Sequence, residues 1–284
     1  MAEKEMSFLD HLEELRWHII RALGGVLVCS LVAFIFGSYI FENVVLAPMK
    51  ADFWTYRTLC ELGQNLGTKG FCVDGFSFIL ISRRLTGQFM MHLVFSIVMG
   101  VVIAFPYVFW EIWRFVRPAL YTEEAKVSKG AVFFVSLLFT IGALFGYFLL
   151  FPVSLNFLAN YQIAETINNE FDITNYVSTL VMLILGSALL FQLPMLVYFL
   201  AKVGLVTPVM MQQFRRHSIV VILIVSAIIT PADVFTQFLI GLPLMFLYEL
   251  SIFIAAYVEK KRIKEEKRLR AIEEKNERLD QLVN

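Results

Sequence analysis

The sequence predicts an all-α polytopic membrane protein with six transmembrane helices, on three observations. Of its 284 residues 58% are hydrophobic and 17% charged, whereas a water-soluble domain is about half apolar and a quarter charged. Apolar runs of about 20 residues, the length of helix that crosses a hydrocarbon core about 30 Å thick, recur along the chain. Lys and Arg collect in alternate connections, nineteen of the 24 on one side and five on the other. By the positive-inside rule this places both termini in the cytoplasm.

Residues 1–16 are polar and acidic, without the basic start, short apolar core and small-residue cleavage site of a secretory signal. The first membrane helix is therefore expected to direct insertion. Ahead of it, Phe8, Leu12, Leu15 and Ile19 share one helical face, and Ser7 with Asp10 fits a helix start. A short amphipathic helix on the cytoplasmic surface is expected, its polar positions Asp10, Glu13, Glu14 and Arg16 solvated. The spans are read at 22–41, 89–110, 130–164 (divided by Pro152), 175–201, 218–232 and 234–258. The fifth, at about 15 residues, rises only about 22 Å and is short for a bilayer. Pro106, Pro194 and Pro243 fall inside spans, where a missing donor bends a helix and helps a bundle form a concave, cupped wall.

These elements make residues 1–258 one membrane domain, with the loop 42–85 as an extracytoplasmic cap and 259–284 as a charged cytoplasmic tail. Cys29 lies in the first span as a small apolar group. Cys60 and Cys72 share the long outer loop, where they either pair as a disulfide or remain two free thiols.

The charge balance, +0 overall, gives no reason to expect a nucleic-acid partner. No zinc, nucleophile-elbow or redox motif is present, so neither an enzyme nor a cofactor is expected. Two acids stand near membrane depth, Glu111 and Glu249, and such groups are functional candidates by default. The plainer alternative for Glu249 is a packing hydrogen bond to Gln192 or Gln237. Acidic pairs also stand in connections that are otherwise basic, at Glu13–Glu14 and Glu123–Glu124. A carboxylate takes the planar arginine fork bidentately, so two such positions suit a ligand with adjacent arginines.

Three ordered blocks then carry a family resemblance. The opening Phe8-Leu9-Asp10-His11-Leu12-Glu13-Glu14-Leu15-Arg16 resembles the H-L-x-E-L-R signature of the TatC family, the multispanning receptor subunit of the twin-arginine translocase. Phe105 to Glu124, containing Pro106, Trp113, Phe115, Pro118, Leu120 and Tyr121, is similar to the family's P-x(4)-Q-x-W-x-F-x(2)-P-x-L-Y-x(2)-E block. Thr230-Pro231-Ala232-Asp233 with Gln237, Pro243 and Tyr248-Glu249 is similar to its ending.

The resemblance implies that Glu14 and Glu124 engage the twin-arginine motif, with Arg16, Pro48, Trp113, Phe115, Leu120 and Tyr121 shaping the site. It implies that Thr230, Asp233, Gln237, Glu249 and Gln192 are structural or partner-facing polar positions. The implied partners are signal peptides of folded precursors, single-span TatA/TatB-type subunits and further copies of the chain, in a bacterial inner membrane and driven by the proton gradient. Glu111 and Gln192 depart from the family pattern, standing where glutamine and glutamate are usual. The rival reading is a proton-coupled secondary transporter relaying protons through Glu249, Glu111 and His92.

Overall fold

The computed structural model describes residues 8–65, 67, 72, 78–116, 128–164, 169–230 and 234–283. Helix α1 (Phe8–Ile35) is followed by one turn, α2 (Gly37–Ile40), a π-turn over Phe41–Val45 and a 3-10 turn over Ala47–Met49. Then come α3 (Trp54–Asn65), β1 (Ile79–Ile81) and α4 (Gly87–Val116). Helix α5 (Ser128–Phe145) runs through a second π-turn, Gly146–Leu150, into α6 (Phe151–Asn160). The remainder is β2 (Glu170–Asp172), α7 (Ile173–Leu190), α8 (Leu193–Val203), α9 (Pro208–Gln213), α10 (Arg215–Ile229) and α11 (Val234–Val283). Strands β1 and β2 pair in parallel, Leu80 opposite Phe171.

Among the described residues five helical stretches are long and apolar enough to cross a membrane: Leu12–Ile35, Gly87–Val116, Gly130–Asn160, Ile173–Val203 and Thr236–Ile272. The sixth expected span is the 15-residue α10, which falls below that length.

The start of the chain corrects the sequence reading. No separate amphipathic helix precedes the first span, because α1 is continuous over 28 residues. Along it Leu12 and Ile19 are exposed, while His18, Ala22 and Ala33 are buried. An apolar side chain facing lipid loses nothing, so the polar and small residues turn inward. Small residues let α1 and α4 approach closely. A Cβ on Gly100 would stand 2.7 Å from the Ser30 backbone nitrogen, and one on Gly25 would meet the Tyr107 ring at the same distance. Cys29 lies half-buried on this helix as a free thiol.

The prolines also behave differently from one another. Pro106 and Pro243 sit inside continuous helices, whereas Pro194 opens α8 after Gln192 and Pro152 opens α6 behind the π-turn. At a helix start the missing donor costs nothing, which suits Pro194, whereas Pro152 lies in a run that continues from α5, and the Phe148 carbonyl four residues before it takes a hydrogen bond from the Thr55 hydroxyl instead. The π-turn packs on α7, where Ser187 Oγ donates to the Gly142 carbonyl at 2.8 Å and Gly146 leaves room for the Leu183–Ile184 backbone.

The core gathers where α6, α7 and α11 meet the segment after α1, around Val45, Leu150, Phe151, Val177, Leu180 and Leu244. Three tyrosines close it. Tyr147 donates to the Val44 carbonyl at 2.8 Å and Tyr176 to the Val45 carbonyl at 2.7 Å. Tyr56 lies 3.0 Å from both the Pro48 and Pro152 carbonyls. Burial pushes the Tyr56 phenol above its ordinary value, so it remains a donor. The bonds to Val44, Val45 and Pro48 serve carbonyls of the irregular turns after α1, where an unpaired group in an apolar setting is costly.

The loop is pinned a second time by a disulfide between Cys60 on α3 and Cys72, with Cα atoms 4.4 Å apart. Closing a loop of this size contributes about 3 kcal/mol at most in the chain-entropy account. Reduction is therefore expected to raise hydrogen exchange across α3 and leave α1 and α4 unchanged. Loss of protection in α4 would show that the bridge stabilises more than this loop.

Candidate functional site

At the start of α1, Glu14, Trp17, His18 and Arg21 recur at helical spacing and share one face. That face meets the end of α4, and the two helices enclose a groove of about 370 Å³ lined by these four residues and Arg114. Its floor is a buried pair. His18 Nδ1 lies 2.5 Å from Glu111 Oε2, with side chains 5% and 2% exposed, and Arg21 Nη1 approaches the same oxygen at 4.0 Å. The Phe115 ring flanks His18 at a centroid distance of 6.1 Å.

Glu14 is half-buried at the rim and makes no ion pair among the described residues. Arg21 is drawn to Glu111 instead, and the Arg114 guanidinium lies over the Trp110 ring at 5.6 Å. The groove thus presents a carboxylate with no guanidinium of its own, beside aromatic surface. Chemically, it is disposed to accept a planar cation with apolar neighbours.

The other expected site residues are distributed as follows. Arg16 points away from the groove, pairing with Glu13 at 3.6 Å with both side chains about two-thirds exposed. Trp113 packs with Phe109 and Phe199 on the neighbouring face of α4, its Nε1 buried without a hydrogen-bond partner among the described residues. Pro48 is buried in the 3-10 turn beyond the far end of α1, bonded to Tyr56. The 28-residue helix is about 42 Å long, so Pro48 does not reach the Glu14 groove. Glu124, Leu120, Tyr121 and Asp233, along with Glu123 and Pro118, lie outside the described residues.

In the final helix pair, Glu249 bonds Arg215 at the start of α10. This replaces the packing partners expected from sequence, because Gln237 donates to the Leu223 carbonyl at 3.0 Å and Gln192 to the Val135 carbonyl at 3.2 Å. Thr230 ends α10 and is buried. Among the described residues the three groups of the rival proton relay each bond a different partner and not one another. His92 contacts the Phe34 carbonyl and stacks on the Phe34 ring, Glu111 pairs with His18, and Glu249 pairs with Arg215. His92 and Glu111 are also 19 residues apart on one helix, about 28 Å along its axis.

His18, Arg21, Trp17 and Arg114 were not singled out by the sequence reading. The available signal was the i, i+3, i+4, i+7 recurrence from Glu14, a polar stripe leading from the cytoplasm-like start of α1 into a membrane span.

Residues 10–243 match the family described as Sec-independent protein translocase protein (TatC). The Sec-independent protein translocase protein TatC of Blattabacterium strain BPLAN is 34% identical over 262 residues, covering 92% of this chain and 98% of the relative. The protein of the same name from Helicobacter pylori is 37% identical over 249 residues, 87% of each. Among solved structures, the crystal structure of the twin arginine translocase receptor TatC superposes with a TM-score of 0.68. It is 31% identical and covers 87% of this chain and 99% of that one.

Proposed function

The chain belongs to the TatC family of Sec-independent, twin-arginine protein translocase proteins, and from that premise we propose that the Glu14 groove receives one arginine of a twin-arginine signal peptide. The observation that carries this reading is a half-buried carboxylate with no ion-pair partner among the described residues, held beside Trp17 and next to the buried His18–Glu111 pair. Glu124, which follows Arg114 by ten residues of chain, supplies the second carboxylate on the strength of the family motif. Phe115 flanks the floor on the α4 side, the family motif alone assigns Leu120 and Tyr121 to the same site, and Trp113 supports α4 from its neighbouring face. Arg16 keeps Glu13 occupied, which leaves Glu14 as the acceptor.

In this reading the short α10 serves as the sixth span, the bundle is cupped, and both termini face the cytoplasm. Residues 1–258 form the membrane domain and 259–284 the tail. Thr230, Asp233 and Gln237 face single-span TatA/TatB-type subunits, while Gln192, Glu249 and Pro48 hold helices and turns in place. Further copies of the chain complete the complex.

The test is capture of a signal peptide by the membrane-embedded protein. A peptide bearing Arg-Arg is expected to crosslink near Glu14, and one bearing Lys-Lys at least tenfold less, since an ammonium cannot make the bidentate contact. Equal capture of the two would end the arginine-recognition reading.

Orientation is tested separately. A cysteine placed at Lys264 is expected to resist a membrane-impermeant thiol reagent in intact cells and to react once the cells are opened. Labelling in intact cells would invert the topology.

A further inference from the structure

Helix α11 is continuous over 50 residues, about 75 Å, of which the apolar part to Val258 takes only about 37 Å. The remaining half leaves the bilayer as a rod. On it, in a segment dominated by charge and with Ile263 exposed about one turn and a half earlier, Leu269 and Ile272 are 57% and 47% exposed. With Asn276, Leu279 and Val283 they recur at spacings of three, four, three and four. That is the period of 3.5 that a coiled coil requires, with Leu269, Asn276 and Val283 at a and Ile272 and Leu279 at d.

The flanking positions then carry a consistent code. The g positions are Lys261, Arg268 and Lys275, and the e positions one heptad on are Glu266, Glu273 and Asp280. In a parallel pair each g faces the e of the next heptad on its partner. Within the coil Arg268 would therefore meet Glu273 and Lys275 would meet Asp280 of a second copy, both opposite in sign, while Lys261 and Glu266 lie ahead of it, where Glu266 pairs with Arg262 of its own chain. An antiparallel pair would set g against g and e against e, so that every contact is repulsive. Two copies inserted the same way in one membrane are parallel by construction. An Asn at a single a position also favours two strands in fixed register.

We propose that this tail pairs with the tail of a second copy of the chain as a parallel two-stranded coiled coil beginning at Leu269. This deepens the self-association included in the proposed function and names its surface. Leu269 and Ile272 are open to a partner, and with Arg268 they border a groove of about 670 Å³ shared with Tyr198 and Lys202 on α8. Two heptads are too few to hold free peptides together. Here the helix is already nucleated by its membrane half, and confinement to the bilayer raises the effective concentration of the second tail.

The experiment uses the full-length chain in native membranes, with one added cysteine and mild oxidation. Cys60 and Cys72 are bonded to each other and Cys29 lies within α1, so the parent chain sets the background. Ile272→Cys and Leu279→Cys, both at d, are expected to give a dimer of twice the chain mass at least tenfold more efficiently than Lys267→Cys and Glu274→Cys, both at f. Adding Arg268→Glu with Lys275→Glu to Ile272→Cys should abolish that dimer. Co-expression with a chain carrying Ile272→Cys, Glu273→Lys and Asp280→Lys should restore it between the two different chains. Equal crosslinking at d and f, indifference to the charge changes, or a product whose mass is not a multiple of the chain would overturn the proposal. Signal-peptide capture, read in the same membranes, reports the Glu14 site independently: its loss alone would refute the groove and leave the tail pairing intact.

Discussion

Crosslinking of an Arg-Arg signal peptide is expected to fall about ten- to hundredfold in Glu14→Gln and again in Glu124→Gln, with export of folded precursors severely reduced in each. A charge-assisted hydrogen bond contributes roughly 1.5–3 kcal/mol, and each 1.4 kcal/mol is a factor of ten in affinity. Glutamine keeps the size and one acceptor oxygen but loses the charge, so the comparison isolates the electrostatic part. Glu14 stands at the groove rim outside the packed core and Glu124 falls in a connection outside the spans expected from sequence, so the amount of protein in the membrane should stay near that of the parent. Glu13→Gln is the control with a geometric reason behind it, because Glu13 already pairs with the exposed Arg16 and lines no part of the groove. Glu123→Gln is the control that rests on the family motif. Four variants that bind alike, or binding that survives loss of both Glu14 and Glu124, would remove the recognition mechanism.

The second large effect is expected at the floor of the same groove. His18→Ala leaves the Glu111 carboxyl 2% exposed without its nearest hydrogen-bond partner, and breaking a buried pair on one side typically costs about 3–5 kcal/mol. Thermal unfolding in detergent should show a clear loss of stability. The double variant His18→Leu with Glu111→Leu should recover most of it, because an apolar pair of similar volume needs no partners. The partial neighbour Arg21, 4.0 Å away, sets the lower end of the range by offering Glu111 a second cation. If the double variant were as unstable as the single one, packing volume rather than the buried polar pair would govern this junction. Signal-peptide capture by the double variant separates the two roles of the site: stability without capture would mean that the pair orients Glu14 as well as holding α1 against α4.

The membrane class, five of the six expected spans and the family were legible because each depends on a local property: run length or a contiguous motif. What stayed hidden depended on which way a helix was rotated. The Leu12–Ile19 stripe reads as an inward face by the logic of soluble proteins, yet in lipid the outward direction is the apolar one, and His18 and Ala22 turn in. The partner of Glu249 was misread for a related reason. Arg215 sits at the start of α10, 34 residues earlier in the chain, and only the antiparallel return of α11 brings it alongside. Pro48 was grouped with the groove through the family motif, although its place in the fold is beyond the opposite end of α1. The π-turns over 41–45 and 146–150 left no mark in periodicity, since a single wide turn shifts a stripe by only one position.

The three tyrosine hydroxyls that close the core bear on how this protein can change over generations. Tyr56, Tyr147 and Tyr176 hold Pro48, Val44 and Val45 by carbonyl oxygens, atoms that every amino acid possesses. The bonds therefore ask nothing of the side chains they grip, and only packing volume limits what may stand there. The tyrosines have no such latitude, because no other residue combines a long rigid ring with a terminal donor. A segment anchored in this way can drift in spelling while its path is preserved, with heredity concentrated in three distant letters that lie outside it.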